Sequence, residues 1–311
     1  MKSLPIYNNS FRALIDSYQS WLTAERYAAT TVYYMPIHLR EFFHYLETLG
    51  HEGIEYITTK LVSEYYEQLS IRKNQKRGGA LSNKALNKHI QSLKLFVEYL
   101  NKHDANFSFG VHLKSEKVDN LTTKDILSVA QIEQLFEACE YSHISAKYRL
   151  RDMALLTVLY SCGLRRNEAV QLDVNDVKFN KNLIHVRHAK KSKERFVVIN
   201  DRNKRILEDY LYEARPQFGI SKKSKALFVN QYGRRMSGQT FSNRLKSILK
   251  STEDKNITSK HVTPHTLRHC IATHFLQSGM KLKKIQKFLG HASIEATQIY
   301  THLLTELEDD D

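Results

Sequence analysis

Apolar residues recur at helical spacing through most of the first hundred positions. Phe11, Leu14, Ile15, Tyr18 and Leu22 define one amphipathic helix. Phe42, Phe43 and Leu46 define a second, ending near Gly50. Its start stays open, because Pro36 is tolerated only in a helix's first turn. Leu61, Val62, Tyr65 and Leu69 predict a third helix. Leu86, Ile90, Leu93, Val97 and Leu100 form the apolar stripe of a fourth. Between the last two lies a basic, glycine-ended loop, Arg72-Lys73-Asn74-Gln75-Lys76-Arg77-Gly78-Gly79.

Periodicity then stops. A polar stretch reads as a linker over 105–125, dividing a helical domain (1–104) from a second domain (126–311). In the second, Ile132, Leu135 and Phe136 mark a helix. Another is predicted from about Leu150 to Cys162, with Gly163 in the C-terminal capping place. The period changes at Leu183-Ile184-His185-Val186-Arg187 and Arg195-Phe196-Val197-Val198-Ile199. These two β-rich runs around a polar turn predict a hairpin. Helical patterning returns afterwards. The expected fold is mainly α, with a small antiparallel sheet in the second domain.

Charge sharpens this picture. Lys and Arg total 47 against 33 Asp and Glu, a formal charge of +14, which favours a polyanionic partner. Cys139, Cys162 and Cys270 are odd in number, far apart and without CxxC spacing. They argue against a disulfide framework or zinc finger and suit a reducing cytoplasm. The N-terminus shows no secretion signal, and no apolar run is long enough to span a bilayer.

The last fifty residues carry the candidate chemistry. Thr263 suits an N-cap and Pro264 the first helical position, which puts His265 and Arg268 on one face of the first turns. Leu289-Gly290 delivers His291 into a turn, and Ser293 can cap a last helix bearing Tyr300. A phosphodiester repels nucleophiles, and charge grows on its oxygens in the transition state. Preorganised cationic donors lower that barrier, and arginine stays charged. A tyrosine hydroxyl with pKa ~10 needs such neighbours to attack at neutral pH, and the leaving oxygen needs a proton.

On these residues the chain resembles the tyrosine recombinase (phage-integrase) family, in the style of the bacterial Xer-type site-specific recombinases. Tyr160-Ser161-Cys162-Gly163-Leu164-Arg165 matches the family's Gly-Leu-Arg box, His265 and Arg268 its His-x-x-Arg box, and His291 its Leu-Gly-His box. The resemblance implies that Arg165, Arg268, His265 and His291 hold the phosphoryl oxygens and that Glu168 supports the first arginine. It also implies that Tyr300 is the nucleophile. Ala189-Lys190-Lys191-Ser192-Lys193 matches the hairpin box of the general acid. Register favours Lys190. The usual Gly-Lys-Gly is absent, so Lys191 and Lys193 stand as alternatives.

The implied reaction passes through a 3′-phosphotyrosyl bond, needs no metal and no nucleotide cofactor, and is carried out on double-stranded recombination sites by a homotetramer. The N-terminal domain corresponds to the family's helical (SAM-like) core-binding domain. On its fourth helix Lys84, Asn87, Lys88 and Gln91 lie off the apolar stripe as candidate DNA contacts, joined by Arg72, Lys73, Lys76 and Arg77 of the basic loop.

Each residue alone has a plainer reading: Tyr300 as packing, Arg165 as a helix-end charge, the basic helix face as wet surface. His265 and His269 have zinc-ligand spacing, but Thr266 stands where a metalloprotease has glutamate. The joint match of several boxes in order outweighs these. A type IB topoisomerase and a non-catalytic DNA-binding regulator are the rival functions. The acidic tail Glu306 to Asp311 reads as a frayed end, and Leu303 to Leu307 as a segment for docking on a neighbouring protomer.

Overall fold

The computed structural model describes residues 4–74, 78–117, 123–187, 194–290 and 297. The chain divides into two compact units, Met1–Asn120 and Leu121–Asp311.

In the first unit, helices α1 (Asn9–Ala24), α2 (Ala29–Thr48), α3 (Thr59–Ile71) and α4 (Asn83–Lys102) pack around one core. Side-chain oxygens of Asn8, Thr58 and Ser82 cap α1, α3 and α4 by accepting a free first-turn N–H, as the sequence allows. Phe11 and Phe43 stack with centroids 4.5 Å apart, and Phe96 meets Phe43 edge-on. Pro36 does not delimit α2. It lies inside the helix, buried, because the apolar face of α2 is long enough to hold the helix together across one missing donor.

The predicted linker also differs in its first half. Ala105, Phe107, Val111 and Leu113 pack against the first core and Phe109 is buried in it. The Asn87 side-chain amide donates to the Glu116 carbonyl (2.9 Å) and accepts the Glu116 N–H (2.7 Å). Alternating apolar residues in 105–113, too short for a helical period, made this segment look aperiodic. The first unit thus extends past 104.

The second unit opens with α5 (Val129–Ala138), whose N-cap Ser128 and N3 residue Gln131 cap each other reciprocally. Helix α6 (Ala146–Leu156) widens into a π-helical turn over Thr157–Ser161 before reaching Gly163. Then follow α7 (Arg166–Gln171) and a three-stranded antiparallel sheet, β1 (Val177–Lys178), β2 (Leu183–Val186) and β3 (Arg195–Val198), in that order. The expected hairpin is present, with Val186 opposite Arg195 and Leu183 opposite Val198. The short edge strand β1 carries no sequence signal of its own. Helices α8 (Asp201–Glu208), α9 (Gly238–Ser251), α10 (Lys255–Thr258), α11 (Pro264–Gln277) and α12 (Leu282–Leu289) complete the described residues. All three cysteines are free and buried, and burial raises the thiols of Cys162 and Cys270 to about 12. No helix of the described residues is long and apolar enough to cross a membrane.

Candidate active site

Three elements, α7, β3 and α11, converge on one buried carboxylate. Just past the π-helical turn, Gly163 takes the left-handed conformation (φ +59°), and the chain turns into Arg165, the N-cap of α7. Three residues on, Glu168 folds back over the helix start. It accepts the Arg165 backbone N–H (2.9 Å) and the Arg165 Nη1 (3.0 Å). From the first residue of β3, Arg195 lays its fork along the same carboxylate, with Nη1 at 3.2 Å and Nη2 at 2.9 Å. From α11, Arg268 stands 3.7 Å from Glu168 and is wholly buried. Its Nη1 donates to the Gly163 carbonyl (2.5 Å) and its Nη2 to the Leu289 carbonyl (2.6 Å).

Helix α11 presents Arg268 correctly because its start is fixed twice. Thr263 caps it by accepting the Thr266 N–H, and Pro264 occupies N1. Leu267 and Ile271 of the same helix are buried.

Two glycines make room for this cluster. A Cβ on Gly163 would stand 2.8 Å from the Phe288 ring and 3.1 Å from Leu289. Gly290 caps α12 at φ +66°, and a Cβ there would stand 2.9 Å from Arg195 Cδ. The glycines of the Gly-Leu-Arg and Leu-Gly-His boxes therefore serve both backbone conformation and close approach.

One carboxylate among three guanidiniums leaves this floor cationic. Burial is the largest influence on Glu168 and pushes its carboxyl up. The hydrogen bonds and charge of Arg195, the Arg165 N–H and the charge of Arg268 together outweigh it, and the carboxyl lies below its ordinary value. His265 opens to solvent along one side. The protein around it, then the charges of Arg268 and Arg165, hold its imidazole below the ordinary value, so it is neutral at pH 7. Arg165, 35% exposed, and His265 line a groove of about 420 Å³ with Arg166, Asn167, Ser242 and Lys246.

The structure thus brings together Arg165, Glu168, Arg268 and His265. Lys190, His291 and Tyr300, with Lys191 and Lys193, lie outside the described residues. His265 and His269 meet edge to face at 4.3 Å, and among the described residues no three His, Cys, Asp or Glu side chains are placed to hold a metal ion.

In the first unit Lys84, Lys88 and Gln91 are exposed on α4 and Lys73 is exposed just past the end of α3, while Lys76 and Arg77 lie outside the described residues. Two candidates need correction. Asn87 is half-buried, and its amide is engaged on Glu116. Arg72 is tied to Glu41 at 2.5 Å. Both read as free polar residues along the chain because their partners are remote in sequence.

Sequence reasoning passed over Arg195, which alternation placed on the inner face of β3 as one more strand residue. A buried-face arginine in a strand was the available signal. It also passed over Gln239, Asn243, Lys246 and Lys250, which form an exposed stripe on α9 at helical spacing, with Lys246 at the groove.

The Phage integrase family matches residues 125–306. A tyrosine recombinase XerD of Listeria monocytogenes serotype 4b is 32% identical over 294 residues, covering 93% of this chain and 94% of that protein. A XerC of Herpetosiphon aurantiacus is 40% identical over 213 residues, 68% of this chain and 67% of that one. In architecture the chain is similar to the XerH site-specific recombinase solved with its difH substrate before cleavage, with a TM-score of 0.72, 18% identity, and 99% and 98% of the two chains covered. A match of the family's model over more than half its length makes this chain a member of the phage integrase family.

Proposed function

We propose that this protein is a site-specific DNA recombinase that cuts and rejoins double-stranded DNA through a covalent 3′-phosphotyrosyl intermediate. The carrying observation is the groove where Arg165 and His265 meet above the Glu168–Arg195–Arg268 cluster. Its excess positive charge and its preorganised donors suit a pentacoordinate phosphoryl group. The matching of relatives named XerD and XerC over most of the chain supports the same reading.

In this mechanism the Tyr300 oxygen attacks the scissile phosphorus and loses its proton. His265, held neutral, is a group able to accept it. The bond from phosphorus to the 5′-oxygen breaks, and Lys190 protonates that oxygen. Arg165 and His291 hold the phosphoryl oxygens. Arg268 contributes its charge from below the surface. A 5′-hydroxyl from a partner duplex reverses the step and reseals the exchanged strand. Two sites exchanged in this way call for four protomers, so the working assembly is a homotetramer on DNA. Lys84, Lys88 and Gln91 of the first unit and the Lys246 stripe of the second contact the duplex.

The test uses a nicked duplex carrying the sequence that the wild-type protein enriches from a random pool. Wild type traps as a covalent adduct stable to denaturant, and Tyr300→Phe does not. An adduct with the Phe variant removes Tyr300 from its role. Rapid relaxation of a plasmid lacking the enriched site would favour a topoisomerase. A chelator leaves the adduct yield unchanged, and strong inhibition would point to a metal.

A further inference from the structure

Arg195 has no role in the steps above, yet it ties two separate parts of the site's framework together. Its Nη1 and Nη2 are both on Glu168, its Nε donates to the Phe288 carbonyl (2.9 Å), and its side chain is 7% exposed. The two last carbonyls of α12 are thereby taken by two arginines, Phe288 by Arg195 and Leu289 by Arg268. A helix end leaves such carbonyls without intrahelical partners. These two immediately precede Gly290 and His291. At the other end of the fork, Arg195 holds both oxygens of the carboxylate that orients Arg165. Arg165 itself uses one Nη and its backbone N–H on Glu168 and keeps part of its guanidinium at the groove.

Resting on the recombinase reading, we propose that Arg195 is a positioning residue of the phosphate clamp. It locks Glu168, and through it Arg165, in register with the backbone turn that leads to His291. Lysine cannot replace it, because an ammonium cannot span a carboxylate edge and also reach a carbonyl on its other side. The clearance at Gly290, where any Cβ would strike Arg195 Cδ, Nη1 or Nε, shows how closely the turn is built on this side chain.

The role predicts a defect that follows the charge on the phosphate. Single-turnover cleavage is measured on the nicked, pool-enriched duplex, once with an ordinary scissile phosphate and once with a neutral methylphosphonate there, which needs less cationic stabilisation. Affinity is measured in parallel by gel shift. Arg195→Lys is expected to bind DNA within a few-fold of wild type and to cleave the phosphate on the order of 10²-fold more slowly. Its defect relative to wild type should shrink at least about tenfold on the methylphosphonate, as expected for a misplaced charge-stabilising group. Arg215→Lys is the structural control. Arg215 is similarly buried, donates to the carbonyls of Ser224, Ala226 and Leu227, and takes no part in the cluster. Its defect, whatever its size, should be the same on both linkages. An Arg195→Lys defect equal on both linkages, or one matched by lost binding, or none at all, overturns the proposal and leaves the recombinase reading standing. If wild type forms no adduct on any enriched duplex, the recombinase reading fails and takes this one with it.

Discussion

Replacing Glu168 by glutamine removes one charge and almost no volume from the centre of the second unit. The carboxylate is buried, 5% exposed, and accepts four hydrogen bonds: two from Arg195, one from the Arg165 guanidinium and one from its backbone. An amide can keep its oxygen toward one arginine only by turning its NH2 toward another donor. Removing one partner of a buried ionic cluster costs about 3–5 kcal/mol, because the remaining charges stay desolvated. For a unit of this size each kcal/mol corresponds to roughly 2–4 °C, so the transition of the second unit should fall by about 10 °C. Calorimetry and urea unfolding at neutral pH measure this. The pH dependence gives a second check. The folded carboxyl lies below its ordinary value of 4.5, so its stabilisation is fully present above the unfolded pKa and is lost as pH falls through the folded pKa. The gap between wild type and Glu168→Gln should therefore be constant from neutrality down to about pH 4.5 and close in stronger acid. A loss below about 1 kcal/mol, or a gap that ignores acid, would refute the view that Glu168 holds the arginines as a buried anion.

Three further outcomes follow. Gly290→Ala should lower cleavage more than stability: the left-handed backbone costs an alanine roughly 1–2 kcal/mol, while the new methyl displaces Arg195, and unchanged single-turnover cleavage would contradict this. Asn87→Ala should cost the first unit about 1–2 kcal/mol without altering the DNA sequence enriched from a pool, and a changed base preference with intact stability would return Asn87 to the DNA face. Finally, acid should weaken the first unit. Burial, with the charges of Lys88 and Arg72, lowers buried His38 to about 4, so the unfolded chain takes up a proton below about pH 6.5 that the folded chain refuses. Stability then declines from there toward pH 4; His38 accounts for about 2 kcal/mol of the decline between roughly pH 7.5 and 5, and His38→Leu should remove that share in urea unfolding, while buried His89 beside it, also held well below its ordinary value, keeps its own.

Much of the site was legible before any coordinates because its parts are local. Thr263-Pro264 announces a helix start through capping and a fixed φ. Gly163 and Gly290 announce chain reversals. Those punctuation marks bring Arg165, His265 and Arg268 to element ends, where a phosphate can be met. The helical faces of α1, α3 and α4 followed from a period of 3.6, and the β2–β3 hairpin from a change of period. Pro36 was misleading because the rule against interior proline is a local cost that extensive packing overrides.

What the sequence determined on its own is therefore the family, the helical faces and the β2–β3 hairpin, since each depends on spacing within a few residues. Only the tertiary structure decided which charges are already spoken for. Glu41 removes Arg72 from the free surface across 31 positions, and Glu116 removes Asn87 across 29. Tertiary packing also raised Arg195, 27 positions from Glu168 and 93 from Phe288, from a strand residue to the central tie of the site. Coulombic and hydrogen-bond pairing depend on distance in space, and no periodicity along the chain encodes which remote groups the fold will press together.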